Sequence, residues 1–100
     1  MNLKYLWVPV VLLLGHLVNA QNFKGQIVAD TTNETLAGAH ILTEKGVATY
    51  SDSDGYFEIK IPDGGTILTV SFVGYKTLKQ QVSPNSERMV ILMQEAPISI

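Results

Sequence analysis

The sequence predicts an all-β chain, a sandwich of seven short strands. Three observations carry that prediction. After residue 20, apolar residues recur at every second position, with no stretch at helical spacing. Clusters of Gly, Pro, Asn, Asp and Ser break the alternating runs at short intervals. The length, 100 residues, allows one small domain at most.

The rest of the chain is organised around Ser51-Asp52-Ser53-Asp54-Gly55-Tyr56-Phe57-Glu58-Ile59, an acidic turn feeding an alternating strand. Asp52 and Asp54 can accept hydrogen bonds from nearby backbone N–H groups, and Gly55 can take positive φ without a Cβ clash. The strand that follows, 56–61, puts Phe57, Ile59 and Ile61 on one face.

The other elements follow in order. Residues 23–29 form the first strand, with Phe23, Gly25, Ile27 and Ala29 facing one way. A polar loop over 30–35 leads through Leu36-Ala37-Gly38, where small residues allow close backbone approach, into a second strand at 39–43. There Ala39 and Ile41 share a face and His40 points opposite. Glu44-Lys45-Gly46 is a hairpin-sized turn into a third strand at 47–50. Beyond the fourth strand, Pro62-Asp63-Gly64-Gly65 is the strongest turn signal. Residues 66–73 are the most apolar strand, with Leu68, Val70 and Phe72 on one face. Gly74 interrupts it, allowing a bend that re-aims Tyr75, and 75–82 continues extended. Ser83-Pro84-Asn85-Ser86 is a loop before the last strand at 87–93.

Residues 1–20 have the layout of a secretory signal peptide: Lys4, an apolar run from Tyr5 to Val18, and small residues at Val18 and Ala20. Cleavage is expected before Gln21. The run is shorter than the ~20 residues of a spanning helix and contains Pro9 and His16. Export with cleavage is therefore favoured over a membrane anchor, and the lack of cysteine argues against a lipid anchor. The expected organisation is a signal peptide over 1–20, a β-sandwich over 21–94 and a tail over 95–100.

Beyond residue 20 the chain keeps six of its seven Lys and Arg against all nine Asp and Glu, a net charge of −3. That argues against a nucleic-acid partner, which requires a basic face. Without disulfides, an exported domain this small depends on its packed core.

Four blocks in order, Gly25-Gln26-Ile27-Val28, Leu36-Ala37-Gly38-Ala39-His40-Ile41, Asp52-Ser53-Asp54-Gly55-Tyr56-Phe57 and Val70-Ser71-Phe72-Val73-Gly74-Tyr75, resemble the carboxypeptidase-regulatory-like domain. The resemblance spans 22–94 and implies a seven-stranded, transthyretin-like (Ig-like) β-sandwich. It also implies the N-terminal setting such domains have in Bacteroidetes TonB-dependent outer-membrane receptors, including SusC-like importers, where a plug and a large barrel follow. Here the sequence runs out at Pro97-Ile98-Ser99-Ile100. Transport is therefore not expected of this polypeptide alone, and any outer-membrane association would come through a missing barrel. The chain is either the front of a longer receptor or a free-standing exported domain.

No side chain is assigned a catalytic, cofactor-binding or metal-binding role, and no cofactor is expected. A helical-hand calcium loop on the acidic turn would need a ligand at Tyr50 and a Glu near Ile61, so a strand-connecting turn is the better reading. His40, the only histidine beyond residue 20, lacks the companion ligands of a zinc site and the partners of a general base. Ser51, Ser53, Ser71, Ser83, Ser86 and Ser99 show no nucleophile-elbow pattern. The transthyretin-like fold includes a branch that hydrolyses hydroxyisourate, but its histidine and arginine set and its Tyr-Arg-Gly-Ser tail have no counterpart here. Asn33-Glu34-Thr35 fits the N-glycosylation pattern, which means little outside a eukaryotic secretory route, and Asp30-Thr31-Thr32 resembles a short O-glycosylation motif of Bacteroidetes envelope proteins, a three-residue match that arises often by chance.

The function expected is that of a non-catalytic module in the periplasm or outer membrane, belonging to or derived from a TonB-dependent receptor. It would act by protein docking on an envelope partner or on the receptor plug and barrel. The alternative is a stand-alone secreted or periplasmic module binding glycan or polymer through Tyr50, Tyr56 or Tyr75. An accessory role beside a metallopeptidase would need a preceding catalytic domain, for which the signal peptide leaves no room.

Overall fold

The structure, a computed structural model, describes residues 20–85 and 87–97. The signal-peptide reading of 1–20 falls almost wholly outside the described residues. Among the described residues there are seven strands: β1 Ala20–Ala29, β2 His40–Thr43, β3 Ala48–Tyr50, β4 Tyr56–Pro62, β5 Thr66–Ser71, β6 Leu78–Val82 and β7 Met89–Met93. They form two sheets facing one another, ordered β4-β1-β7 and β3-β2-β5-β6. The expected sandwich is what forms, and all pairings are antiparallel except β1 with β7, which run parallel.

The alternation read from the sequence is the alternation of burial. In β4, Phe57, Ile59 and Ile61 are buried while Glu58 and Lys60 are exposed. Across the sandwich Ile41, Leu68 and Val70 point back at them, joined by Phe23, Ile27, Ile91 and Met93. Among the described residues, every buried core side chain lies from Phe23 to Met93. At Gly25 the core lies directly against the backbone: a Cβ there would lie 2.5 Å from the Phe57 ring.

Three details differ from the sequence reading. β5 ends at Ser71 and β6 begins only at Leu78, because Gly74 takes φ +86° in a turn closed by the Tyr75 N–H on the Phe72 carbonyl. Residues 74–76 leave the sheet of β5 and pair instead with 94–96. The Lys76 N–H donates to the Gln94 carbonyl and the Ala96 N–H to the Gly74 carbonyl. Gly38 does not mark a close approach, since nothing lies within 4 Å of where its Cβ would stand; its φ of +82° is what selects glycine.

The acidic turn ties both sheets together. The Asp52 Oδ1 accepts from the N–H groups of Asp54 and Tyr56, each at 2.9 Å, and the Asp52 N–H donates to the Tyr56 carbonyl. Gly55 then turns its carbonyl to the Ile27 N–H at 2.8 Å, fixing β4 on β1. One residue upstream, the buried Ser51 hydroxyl accepts from the Ala39 N–H at 2.8 Å and donates to the Leu36 carbonyl at 2.6 Å. That hydroxyl holds the entry to β2.

Two substitutions separate these effects by urea unfolding. Gly55→Ala adds a Cβ 2.6 Å from the Ile27 carbonyl at φ +79°, and is expected to cost about 3 kcal/mol. Gly38→Ala meets only the backbone penalty and is expected to cost about 1 kcal/mol. Equal losses would contradict the anchoring role of Gly55. Ser51→Ala strands two buried backbone groups and is expected to cost about 3 kcal/mol; a loss below about 1 kcal/mol would contradict it.

Candidate functional site

A sandwich with two open sheets has four edge strands, and each presents unpaired backbone groups that must be protected or used. In β4 the Gly55–Ile27 bond sets the alternation, so Phe57, Ile59 and Ile61 turn their backbone groups to β1. Those of Tyr56 are taken by Asp52, and the open positions left are the charged Glu58 and Lys60, followed by Pro62. β3 is blunted by its length, three residues. β6 carries Lys79, Gln80 and Gln81.

β7 has none of these protections. The Asp30 N–H donates to the Met93 carbonyl, so Met89, Ile91 and Met93 face β1 and the N–H and C=O of Val90 and Leu92 turn outward. The side chains beside them are apolar and in water: Met89 is 41% exposed, Val90 55% and Leu92 49%. The open stretch is short. It stops at Gln94, whose carbonyl is already held by the Lys76 N–H. A shallow recess of about 230 Å³, lined by Lys76, Thr77, Leu78, Leu92 and Gln94, lies beside it. The sequence reading did not single out β7. Its signal was the run Met89-Val90-Ile91-Leu92-Met93, apolar at the outward positions as well as the inward ones.

The tyrosines do not form one platform. The exposed Tyr50 ring packs against His40, centroids 5.1 Å apart; Tyr75 packs on Phe72 at 5.6 Å; and the Arg88 guanidinium lies 3.8 Å above the Tyr56 ring. Tyr50 and Tyr56 do share a recess of about 320 Å³ with Thr49, Asp52, Glu58 and Arg88. His40 is half-buried on the outer face of its sheet. Asn33, with φ +61°, and Asp30 to Thr32 lie in an exposed loop.

Among the described residues no three His, Asp or Glu side chains converge on a point where a cation could sit. The acidic turn in particular spends Asp52 Oδ1 on backbone N–H groups. Calcium at about 1 mM, enough for typical extracellular sites, is therefore expected to leave the thermal midpoint unchanged. A rise of several degrees would overturn the reading of Asp52 to Gly55 as a purely structural turn.

With this geometry in view, the comparisons with known proteins are informative. The family model for the CarboxypepD_reg-like domain matches residues 23–100. TonB-dependent receptor P3 of Formosa agariphila is 34% identical over 86 residues, which cover 82% of this chain and 8% of the receptor. The chain thus spans less than a tenth of that relative. Among solved structures, a type II Cohesin-X-Dockerin complex from Acetivibrio cellulolyticus aligns with a TM-score of 0.63 at 24% identity, over 80% of this chain and 61% of that one. The Bacillus anthracis TIE protein aligns with a TM-score of 0.50 at 18% identity, over 76% and 17%. At these identities the two structures establish a shared fold alone. The family match over 23–100 establishes more: the chain belongs to the CarboxypepD_reg-like domain family.

Proposed function

We propose that this chain is a non-catalytic docking module of the bacterial envelope, part of or derived from a TonB-dependent receptor. The observation that carries this reading is the 34% identity, across 82% of the chain, to a protein of that class. The module is exported and stands on the periplasmic side of the outer membrane, where its partner is the remainder of the receptor or a neighbouring envelope protein. Its working part is the β7 edge, where Val90 and Leu92 combine open backbone groups with exposed apolar side chains. Strand addition at such an edge draws affinity from main-chain hydrogen bonds and specificity from alternate side chains. The polypeptide contributes recognition, and import itself requires a barrel carried by other sequence.

A second reading has one observation in its favour. Tyr50 and Tyr56 share a recess with Asp52, Glu58 and Arg88, a mixture of aromatic faces and hydrogen-bonding groups suited to a polyhydroxylated ligand. Under that reading Tyr50→Ala, which removes an exposed side chain, abolishes binding to a soluble polysaccharide without unfolding the chain. No response across a polysaccharide panel would eliminate it.

An antibody raised against residues 21–100, used on fractionated cells, tests the leading proposal. The expected result is a large, heat-modifiable band in the outer membrane. A small band confined to the soluble periplasmic or secreted fraction would overturn membership in a full receptor.

A further inference from the structure

We infer that the β7 edge pairs with the β7 edge of a second copy of this chain, in an antiparallel, two-fold seam centred on Val90. The inference rests on the docking reading above and names the partner of that edge.

The open stretch restricts what can bind. Outward-facing backbone groups are available at Val90 and Leu92, and by the same alternation at Arg88, while Gln94 is closed by Lys76. A long foreign strand would run into the 74–76 segment. A segment with the reach of β7 does not, and the chain's own β7 has that reach. Antiparallel pairing centred on Val90 sets it opposite the Val90 of the second copy, and sets Leu92 opposite the Arg88 of that copy. Each outward N–H and C=O then faces a counterpart on a strand of the same open parity, and the arrangement closes on itself. Met89 of one copy falls opposite Ile91 of the other, which covers the Met89 side chain now 41% exposed.

Charge supports this register. Glu87 of each copy falls opposite Met93 of the other, one residue from Gln94, whose carbonyl accepts from the Lys76 N–H. The register thus brings an acidic residue of one copy and the Lys76 segment of the other together at both ends of the seam. Shifting the centre by one residue, to Ile91, would set Glu87 opposite Glu95, two like charges directly across.

The other three edges are less suited: β4 ends on Pro62, which has no N–H to donate, β3 presents only three residues, and β6 carries the polar Lys79, Gln80 and Gln81. The β7 seam is itself small, well under the ~1,000 Å² of a stable interface, so association on the order of 100 µM is expected. Copies held in one membrane meet at far higher effective concentration than copies free in solution.

Residues 21–100 are used for the test because they contain all seven strands, β1 less Ala20, and the buried core of the described residues, Phe23 to Met93. Sedimentation equilibrium is expected to show the mass rising from one toward two copies as concentration passes through the ~100 µM range. Val90→Lys is expected to weaken association about tenfold or more with its unfolding midpoint unchanged, since Val90 is exposed. Lys76→Glu is expected to weaken it about fivefold, and adding Glu87→Lys is expected to restore it. A strictly monomeric chain at about 1 mM, or a dimer indifferent to all three changes, would overturn the inference. These 100 residues contain no cysteine, so Val90→Cys puts the one thiol of this segment at the seam, and its crosslinks in cells are read against those of the unsubstituted protein. Oxidation to a homodimer supports the seam. A link to a different protein overturns the second copy as partner while leaving the docking reading in place, and no link of either kind removes both.

Discussion

The sandwich depends on one short turn that hydrogen-bonds to both of its sheets. Ser51 holds the approach to β2 through Ala39 and Leu36, while Gly55, three residues beyond Asp52, anchors β4 to β1 through Ile27. Between them Asp52 closes the turn with its own side chain. A cysteine-free domain of this size has no covalent staple, so a fixed connection between its two layers falls to polar groups that are satisfied only in the native arrangement. The core then fills the space this connection defines, with Phe23, Phe57 and Ile61 on one side and Ile41, Leu68 and Val70 on the other.

Much of this was legible in the sequence because a two-residue period is a direct consequence of strand geometry. Phe57-Glu58-Ile59-Lys60-Ile61 could hardly be read otherwise, and its burial follows it residue by residue. The turn at Asp52 to Gly55 was legible for the same reason: carboxylates that bond nearby N–H groups and a glycine at positive φ have few other uses in combination. What the sequence concealed were relations between distant segments. Ser51 reads as one more polar residue in a polar turn, yet it is buried, because its partners Leu36 and Ala39 lie on a different strand approach. Residues 75 and 76 read as part of an extended segment but, with Gly74, pair with 94–96 rather than joining β6, a choice made by the turn at Gly74 and by where β7 ends. The parallel pairing of β1 with β7 is set by topology, to which local periodicity is blind.

The candidate site was the least legible part, for a related reason. Met89 to Met93 looks like a strand buried on both faces, and composition alone cannot tell an interior strand from an edge strand waiting for a neighbour. The ordering of the sheets makes that distinction: among the described residues β7 pairs with β1 on one side and with no strand on the other, and its outward apolar residues become an exposed surface. Set against the charge on β4, the brevity of β3 and the polar side chains of β6, β7 is the edge whose open positions carry large aliphatic side chains. Family membership fixes the fold and leaves the function to such local features. The tyrosines read as a possible platform are, for the most part, engaged with His40, Phe72 and Arg88.

The central claim is that β7 is the working edge, and amide hydrogen exchange resolved residue by residue tests it most directly. The Val90 and Leu92 amides should exchange rapidly in the dilute isolated chain, while those of Ile91 and Met93, which are turned to β1, stay protected. In the assembled native protein the Val90 and Leu92 amides should become protected too. Fast exchange at Val90 and Leu92 in both settings would contradict the account, since an edge that remains open to water in the assembly docks nothing.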